Sequence, residues 1–294
     1  MNLRKLAVRL FQISSNAIGL LPHRILLMLG SLLGSMAAII PNRRIKIARD
    51  NLSMCYGDSL SQRQQRRIAH ASFRHISMTA MEVLYATARA RTPQRIDFER
   101  WISSEGEHYL QEAAQKGRGV ILLTAHIGNF PWMLLYLGQH GYRMAVVYKE
   151  PADFKDDFLG NAMKAYNISP IRYSGKKYLV TKSILKHLAQ GYIILMPLDQ
   201  AKNNGVEVDF YAHPVKAAGG PVVLSRRSGA AIVPAFIYRR GQGHHLIIEP
   251  QVVLKEPENP QDDLRLNTQA LSDIVEAAVR RHPEQWLWAH RRWR

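Results

Sequence analysis

Gly119-Val-Ile-Leu-Leu-Thr-Ala-His126-Ile-Gly128-Asn129-Phe-Pro131-Trp-Met-Leu-Leu-Tyr136 is the stretch whose reading decides the fold. It opens with an unbroken apolar run at residues 120–123, the pattern of a strand buried on both faces. It closes with Trp132-Met-Leu-Leu-Tyr-Leu137, an apolar run long enough to start a helix. Between them lie one imidazole, a glycine and an asparagine. The reading is strand, turn, helix, with His126 at the carboxyl end of the strand. Ligand and catalytic sites of open α/β sheets collect there. A helix N-terminus adds unpaired N–H groups that favour anions and developing negative charge. The competing reading is that His126 only caps the turn.

Downstream, strand-like and helical stretches alternate. Residues 143–149 read as strand, 153–166 as helix, 168–173 as strand, 176–190 as helix and 192–199 as a buried strand. Residues 206–211 alternate polar and apolar, 219–228 are helical, and 231–238 and 244–254 are strands. Residues 264–281 form a last amphipathic helix. Such alternation predicts an α/β fold: a mixed, mostly parallel sheet flanked by helices. Upstream, residues 42–90 read as helical, with Ser59-Leu-Ser61 capping a helix from Gln62 to Leu84. Ile68, Phe73, Ile76, Met81 and Leu84 recur along it at near-helical spacing. Arg63, Arg66, Arg67 and Arg74 mark its solvated side, and Glu82, set among apolar neighbours, reads as a buried ion-pair partner.

The 294 residues carry a formal net charge of +17 with 47% apolar residues, which excludes disorder and serves either solubility or an anionic partner. The single Cys55 excludes a disulfide framework and a cysteine-based zinc site. The charge is spread, and no helix-turn-helix, RNP or zinc-finger pattern is present, so nucleic acid is not the expected partner. Residues 25–40 are a sixteen-residue run without charge, bracketed by Arg24 and by Arg43, Arg44 and Lys46. As a helix it would be about 24 Å long, short of a hydrocarbon core of about 30 Å. One reading is a pair of core helices. The favoured one makes residues 1–50 a helical membrane anchor, retained behind the charged start Met1 to Arg9, with 51–294 the α/β domain. An apolar stretch with basic flanks supplies two signals for an anionic leaflet.

A second strand end carries a reactive group: Asp199-Gln200 follows the strand at 192–198. Parallel neighbours bring their carboxyl ends to one edge, where an imidazole and a carboxylate can meet. A carboxylate fixes the tautomer of a general base and stabilises the imidazolium that forms. Alternatively, Asp199 caps the next loop.

With these residues in view, the chain resembles the bacterial lysophospholipid acyltransferase superfamily, and within it the late acyltransferases of lipid A biosynthesis. His126-x-Gly128-Asn129, Asp199-Gln200, Val206-x-Val-x-Phe210, Gly219-Gly220-Pro221 and Pro283-Glu284-Gln-Trp286-Leu-Trp288-x-His290-Arg291-Arg292-Trp293 carry the likeness. The resemblance implies an O-acyltransferase at the cytoplasmic face of the bacterial inner membrane. Its donor would be acyl carrier protein or acyl-CoA, and its acceptor a hydroxyl of an anionic glycolipid or phospholipid, a lipid A precursor first. It implies no metal and no cofactor. It gives His126 the role of general base, to which the strand-end reading adds Asp199 as the orienting acid, and Asn129, Lys149, Lys164, Gln200, Arg291 and Arg292 are expected in substrate binding.

One position departs from the family's pattern. The family places Asp or Glu five residues after the His, and here that residue is Pro131, which is tolerated in a first helical turn but cannot orient an imidazole. Asp199 is the first choice to replace that acid and Glu150 the second. The alternatives are an unaided His126, or a weak or inactive relative that binds anionic lipid without turnover. Trp286, Trp288 and Trp293 with Arg291, Arg292 and Arg294 read either as interfacial anchors or as a packed C-terminal segment.

Overall fold

The strands are β1 (Ile102–Glu105), β2 (Val120–Thr124), β3 (Met144–Tyr148), β4 (Ile168–Arg172), β5 (Ile193–Pro197), β6 (Val206–Phe210), β7 (His213–Ala217), β8 (Ala231–Arg240) and β9 (Gly243–Ile248). Seven of them form one sheet in the order β1-β9-β8-β2-β5-β3-β4, while β6 and β7 pair as a separate hairpin. The protein was analysed as a computed structural model that describes residues 17–90, 92, 95–149, 158–173 and 175–293. Strand β2 is central and pairs in parallel with both β5 and β8. Strand β3 pairs in parallel with β5 and β4, and β1 with β9. Only β8 and β9 run antiparallel within the large sheet. All five residues of β2 are buried, as an apolar run between two strands and two helical layers requires.

Alternation along β2 divides the core in two. Ile121 and Leu123 face one cluster with α7 (Lys177–Ala189), α8 (Gly220–Ser228) and α9 (Asp263–Arg281). Val120 and Leu122 face the other, with α4 (Glu107–Gln115) and α5 (Phe130–Gln139). The remaining helices are α1 (His23–Ile39), α2 (Arg43–Tyr56), α3 (Gln62–Arg89) and α6 (Phe158–Ala165). Helix α3 starts at a full capping box, Ser61 with Gln64.

Helix α1 lies against α3 at close quarters. A methyl group on Gly30 would sit 2.7 Å from the Met78 Cα, and one on Gly34 2.5 Å from the Phe73 carbonyl oxygen. Small residues four apart allow this approach. The opposite face of α1 is apolar and open: Met28, Leu32, Leu33, Met36 and Ile39 are at least half exposed, from 50% at Met36 to 71% at Met28. No single helix among the described residues is long and apolar enough to cross a membrane. The pair α1 and the segment from Arg43 to Ser59 passes that test together, bent by 80°.

Glu82 is an ion-pair partner, and a busy one. Its carboxylate is wholly buried and meets Arg239 Nη1 at 3.1 Å, His23 Nε2 at 3.0 Å, His244 Nε2 at 3.1 Å and the Asn129 amide at 2.8 Å. Arg239 Nη2 also reaches its second oxygen. Burial alone would raise its pKa, but His244 and Arg239 hold it well below the usual carboxylate range.

Several expectations shift. The strand predicted over 244–254 ends at Ile248, and the chain returns only as a lone bridge from Val252 to Ile232. Helix α3 continues to Arg89. Strand β1, Ile-Ser-Ser-Glu, has one apolar residue and buries only that one fully, so it carries no periodic signal. Strand β7 is reached through Tyr211 and Ala212, both at positive φ (56° and 57°), a turn without the Gly or Asn that usually announces it. Residues 1–16, Glu150, the first part of the predicted 153–166 helix and Arg294 lie outside the described residues.

Removing the hub of this cluster strands a buried guanidinium. Glu82→Ala should therefore lower the unfolding free energy by about 3–5 kcal/mol. Urea denaturation would show a lower midpoint at unchanged slope, and an unchanged midpoint would mean that Arg239 finds another partner.

Candidate active site

The register of β2 on β5 builds the site. Val120 faces Ile193 and Thr124 faces Pro197, a constant offset of 73 residues that sets His126 opposite Asp199 just beyond the last pair. The Thr124 carbonyl accepts the Leu198 N–H at 3.0 Å and keeps the two chains parallel up to that point. His126 Nδ1 lies 2.7 Å from Asp199 Oδ1, and the His126 backbone N–H donates to Oδ2 at 2.9 Å. The Trp286 indole N–H donates to the same Oδ2 at 2.8 Å. Asp199 is buried, while the His126 side chain keeps 22% of its surface open.

The turn after β2 is fixed from several sides. Gly128 sits at φ 54°, where a Cβ would fall 1.8 Å from the Ile237 carbonyl oxygen, so only glycine fits. Its N–H donates to the Gln285 carbonyl at 3.1 Å, and the Leu287 N–H donates back to the His126 carbonyl at 3.2 Å. Thr79 of α3 donates to the Gly128 carbonyl at 3.2 Å. Asn129 caps α5 by accepting the Trp132 N–H at 3.1 Å.

Electrostatics follow from these contacts. Burial would push the Asp199 carboxyl up, yet the His126 charge, the His126 hydrogen bonds and nearby Arg292 hold it far below the usual range. Burial would lower the His126 pKa, and the Asp199 charge and hydrogen bond outweigh that and raise it. An ionised Asp199 can only accept, so the Nδ1 of neutral His126 carries the proton and Nε2 presents a lone pair. Gln200 Nε2 stands 3.1 Å from that Nε2. The Phe130 ring lies edge-on to the imidazole, with centroids 5.0 Å apart.

Of the expected site residues, the structure brings His126, Asp199 and Gln200 into contact and sets Arg292 beside them. Arg292 is 2% exposed and lies 3.7 Å over the Phe210 ring; burial lowers its pKa to about 10 against the pull of Asp199. Asn129 has no exposed surface and spends its side chain on Glu82 and the helix cap, so it has no face left for a substrate. Lys164 is exposed in the last turn of α6, which leads into the amino end of β4, so it lies at the sheet edge opposite His126. Lys149 is exposed directly after β3, at the same carboxyl edge as His126, and Arg291 is exposed beside Arg292.

Trp286 and Trp288 are core residues, at 2% and 0% exposure, so the packed reading of the C-terminal segment holds for them. Trp286 was legible as an aromatic but not as a donor to Asp199, since no spacing rule links residues 87 positions apart. Pro131, in the first turn of α5, lines an apolar slot of about 80 Å³ with Val83, Ala86, Leu134, Leu159 and Met163. A cavity of about 410 Å³ beside the dyad is lined by Lys202, Asn203, Glu207, Val215, Lys216 and Arg292. No group of three or more His, Cys, Asp or Glu side chains among the described residues could hold a metal ion. Chemically, the arrangement is a carboxylate-oriented imidazole whose Nε2 lone pair points away from the carboxylate toward Gln200, which suits general-base work on a hydroxyl.

The His126 ring should titrate above its ordinary 6.5 in wild type and below it in Asp199→Asn, where burial acts without the carboxylate. Because the folded value is raised, the pair stabilises the protein fully below about pH 6.5. That contribution is lost as pH rises through the folded pKa. NMR of histidine-labelled protein reads both values, and equal pKa values in the two proteins would separate Asp199 from the imidazole.

A family model described as bacterial lipid A biosynthesis acyltransferase matches residues 2–294. The lipid A biosynthesis palmitoleoyltransferase of Escherichia coli (strain K12) is 28% identical over 287 residues, covering 93% of this chain and 86% of that protein. The lipid A biosynthesis lauroyltransferase of the same strain is 27% identical over 292 residues, covering 93% and 87%. A phosphatidylinositol mannoside acyltransferase of Mycobacterium tuberculosis (strain CDC 1551 / Oshkosh) is 25% identical over 191 residues, covering 64% and 58%. The match runs over nearly the whole chain, across the strand-end dyad and the C-terminal segment that holds it: the chain is an acyltransferase and belongs to the bacterial lipid A biosynthesis acyltransferase family.

Proposed function

We propose that this enzyme moves a fatty acyl chain from acyl carrier protein, or acyl-CoA, to a hydroxyl of an anionic glycolipid, a lipid A precursor, at the cytoplasmic face of the bacterial inner membrane. The observation that carries the mechanism is the 2.7 Å contact between His126 Nδ1 and Asp199 Oδ1 at an imidazole that keeps part of its surface open. Nε2 takes the acceptor's hydroxyl proton as the oxygen attacks the thioester carbonyl. Collapse of the tetrahedral intermediate expels the thiolate, which recovers that proton. Asp199 keeps the tautomer and stabilises the imidazolium between the two steps. No metal or redox group is required for this chemistry.

The reading as an inactive lipid-binding relative rested on Pro131 in place of the acid. The dyad with Asp199 removes its premise, because Nδ1 already has a carboxylate partner. Lys149 and Arg291 at the carboxyl edge, with Lys202 and Lys216 in the cavity beside the dyad, supply positive charge for the phosphates of the acceptor and for an acidic carrier protein.

Membrane attachment is assigned to α1. Its buried side fits α3 through Gly30 and Gly34, and its open side is a stripe of Met28, Leu32, Leu33, Met36 and Ile39 with basic residues at both ends. A helix of this length lies in the interface more readily than it spans the core.

Two measurements test the proposal. Purified enzyme with acyl carrier protein thioester and a lipid A precursor should turn over. His126→Ala should lose at least about a hundredfold with an unchanged circular dichroism spectrum, and near wild-type turnover would sink the mechanism. The full-length protein should sediment with membranes and be only partly released by high salt. Leu32→Glu with Met36→Glu should move it to the soluble fraction, and recovery of wild type there at low salt would refute the attachment.

A further inference from the structure

Gln200 is not a bystander to the imidazole. Its amide nitrogen stands 3.1 Å from His126 Nε2, the atom that the acceptor hydroxyl must reach. Asp199 fixes the proton on Nδ1, so Nε2 is an acceptor and the Gln200 atom facing it must be the N–H₂ group. In the free enzyme the base is therefore capped by an amide donor, and the acceptor hydroxyl can bind the lone pair only by displacing it.

The displaced amide cannot go far. Gln200 follows Asp199, whose carboxylate is pinned by three donors from His126 and Trp286. The attacking oxygen takes the place the amide nitrogen held, so the thioester carbonyl comes to lie about one bond beyond it. An oxyanion forming there needs donors. The loop's own N–H groups at His126 and Gly128 are already committed, to Asp199 and to the Gln285 carbonyl. The Asn129 side-chain amide donates to Glu82. The Gln200 N–H₂ is a donor already at the reacting centre with nothing else to hold once displaced.

On the general-base reading above, we infer that Gln200 is a catalytic residue with two positions: it caps Nε2 of His126 at rest, and it donates to the thioester oxyanion during transfer. In the step, the acceptor O–H bond breaks with its proton passing to Nε2, and a C–O bond forms. The carbonyl π pair moves to oxygen, where the amide N–H holds it. On collapse the C=O bond returns, the C–S bond breaks with its pair on sulfur, and the thiolate takes the proton from Nε2. Atoms and charge balance without any further reactant.

The test compares wild type, Gln200→Ala, Gln200→Glu and His126→Ala in steady-state transfer between acyl carrier protein thioester and the acceptor, each checked for fold by circular dichroism. Loss of one oxyanion donor typically lowers kcat by about 10²–10³. Gln200→Ala should show a loss of that order, with an acceptor KM unchanged or lower because the competing amide is gone. The acid limb of its kcat/KM should also move to higher pH, since the cap that favours neutral His126 is removed. Gln200→Glu, similar in shape but without a donor when ionised, should fail to rescue kcat. Turnover of Gln200→Ala within threefold of wild type overturns the inference, as does a raised KM with unchanged kcat or a gain in kcat. If His126→Ala also keeps its turnover, the general-base reading itself falls; if His126→Ala is inactive, only the role of Gln200 does.

Discussion

The in-register pairing of β2 with β5 is the constraint on which the rest of this site depends. Parallel strands hold a constant offset, so the two side chains just past their ends are fixed relative to each other by backbone hydrogen bonds rather than by loop conformation. His126 and Asp199 thereby meet without any ordering cost left to a flexible segment. The carboxylate then collects the His126 ring, the His126 backbone and the Trp286 indole. Three donors on one buried carboxylate offset its desolvation and lock its orientation, which is what an imidazole needs if it is to keep one tautomer.

The same logic of buried charge organises the other side of the loop. Helix α3 touches the turn after β2 at Thr79 and Glu82 and the C-terminal segment at Ser72, whose hydroxyl donates to the Trp286 carbonyl at 2.5 Å. These positions, spaced seven and three apart, form one face of the helix. Glu82 also accepts from His23 at the start of α1. The helix with the open apolar stripe, the long helix and the turn after β2 are thus joined through one carboxylate. A buried ion cluster is a weak source of stability, and what this one fixes is the placement of the groups around the Glu82 carboxylate. Here the geometry specified is that of Gly128 and Asn129.

Much of this was legible in the chain. The unbroken run of β2, the similar run of β5 and the reactive residue after each predicted both the sheet and the dyad, because parallel topology converts two strand ends into one place. Glu82 was legible as a buried ion-pair partner from its apolar neighbours. What escaped had no local signature. The bond of Trp286 to Asp199 joins residues far apart in sequence. The β6–β7 hairpin turns through Tyr211 and Ala212 rather than through glycine. Likeness to a motif puts Asn129 and Lys164 beside a substrate, while the fold buries Asn129 against Glu82 and sets Lys164 near the amino end of β4. A motif fixes which residues stand close in sequence; only the fold fixes which way they face.

Pro131 draws these strands together. A carboxylate at that position would rise from the first turn of α5 and would have to leave the apolar slot that Pro131 now lines. Proline supplies the backbone angle that a first helical turn requires and adds no polar group to that wall. The acid comes instead from the neighbouring strand, where the C-terminal tryptophan can hold it. The chemistry demands a carboxylate on Nδ1, with Nε2 left facing the substrate, and it is indifferent to which element carries that carboxylate. Moving the acid to β5 frees the start of α5 to be purely a wall. It also sets Gln200, the next residue after the acid, directly against His126 Nε2.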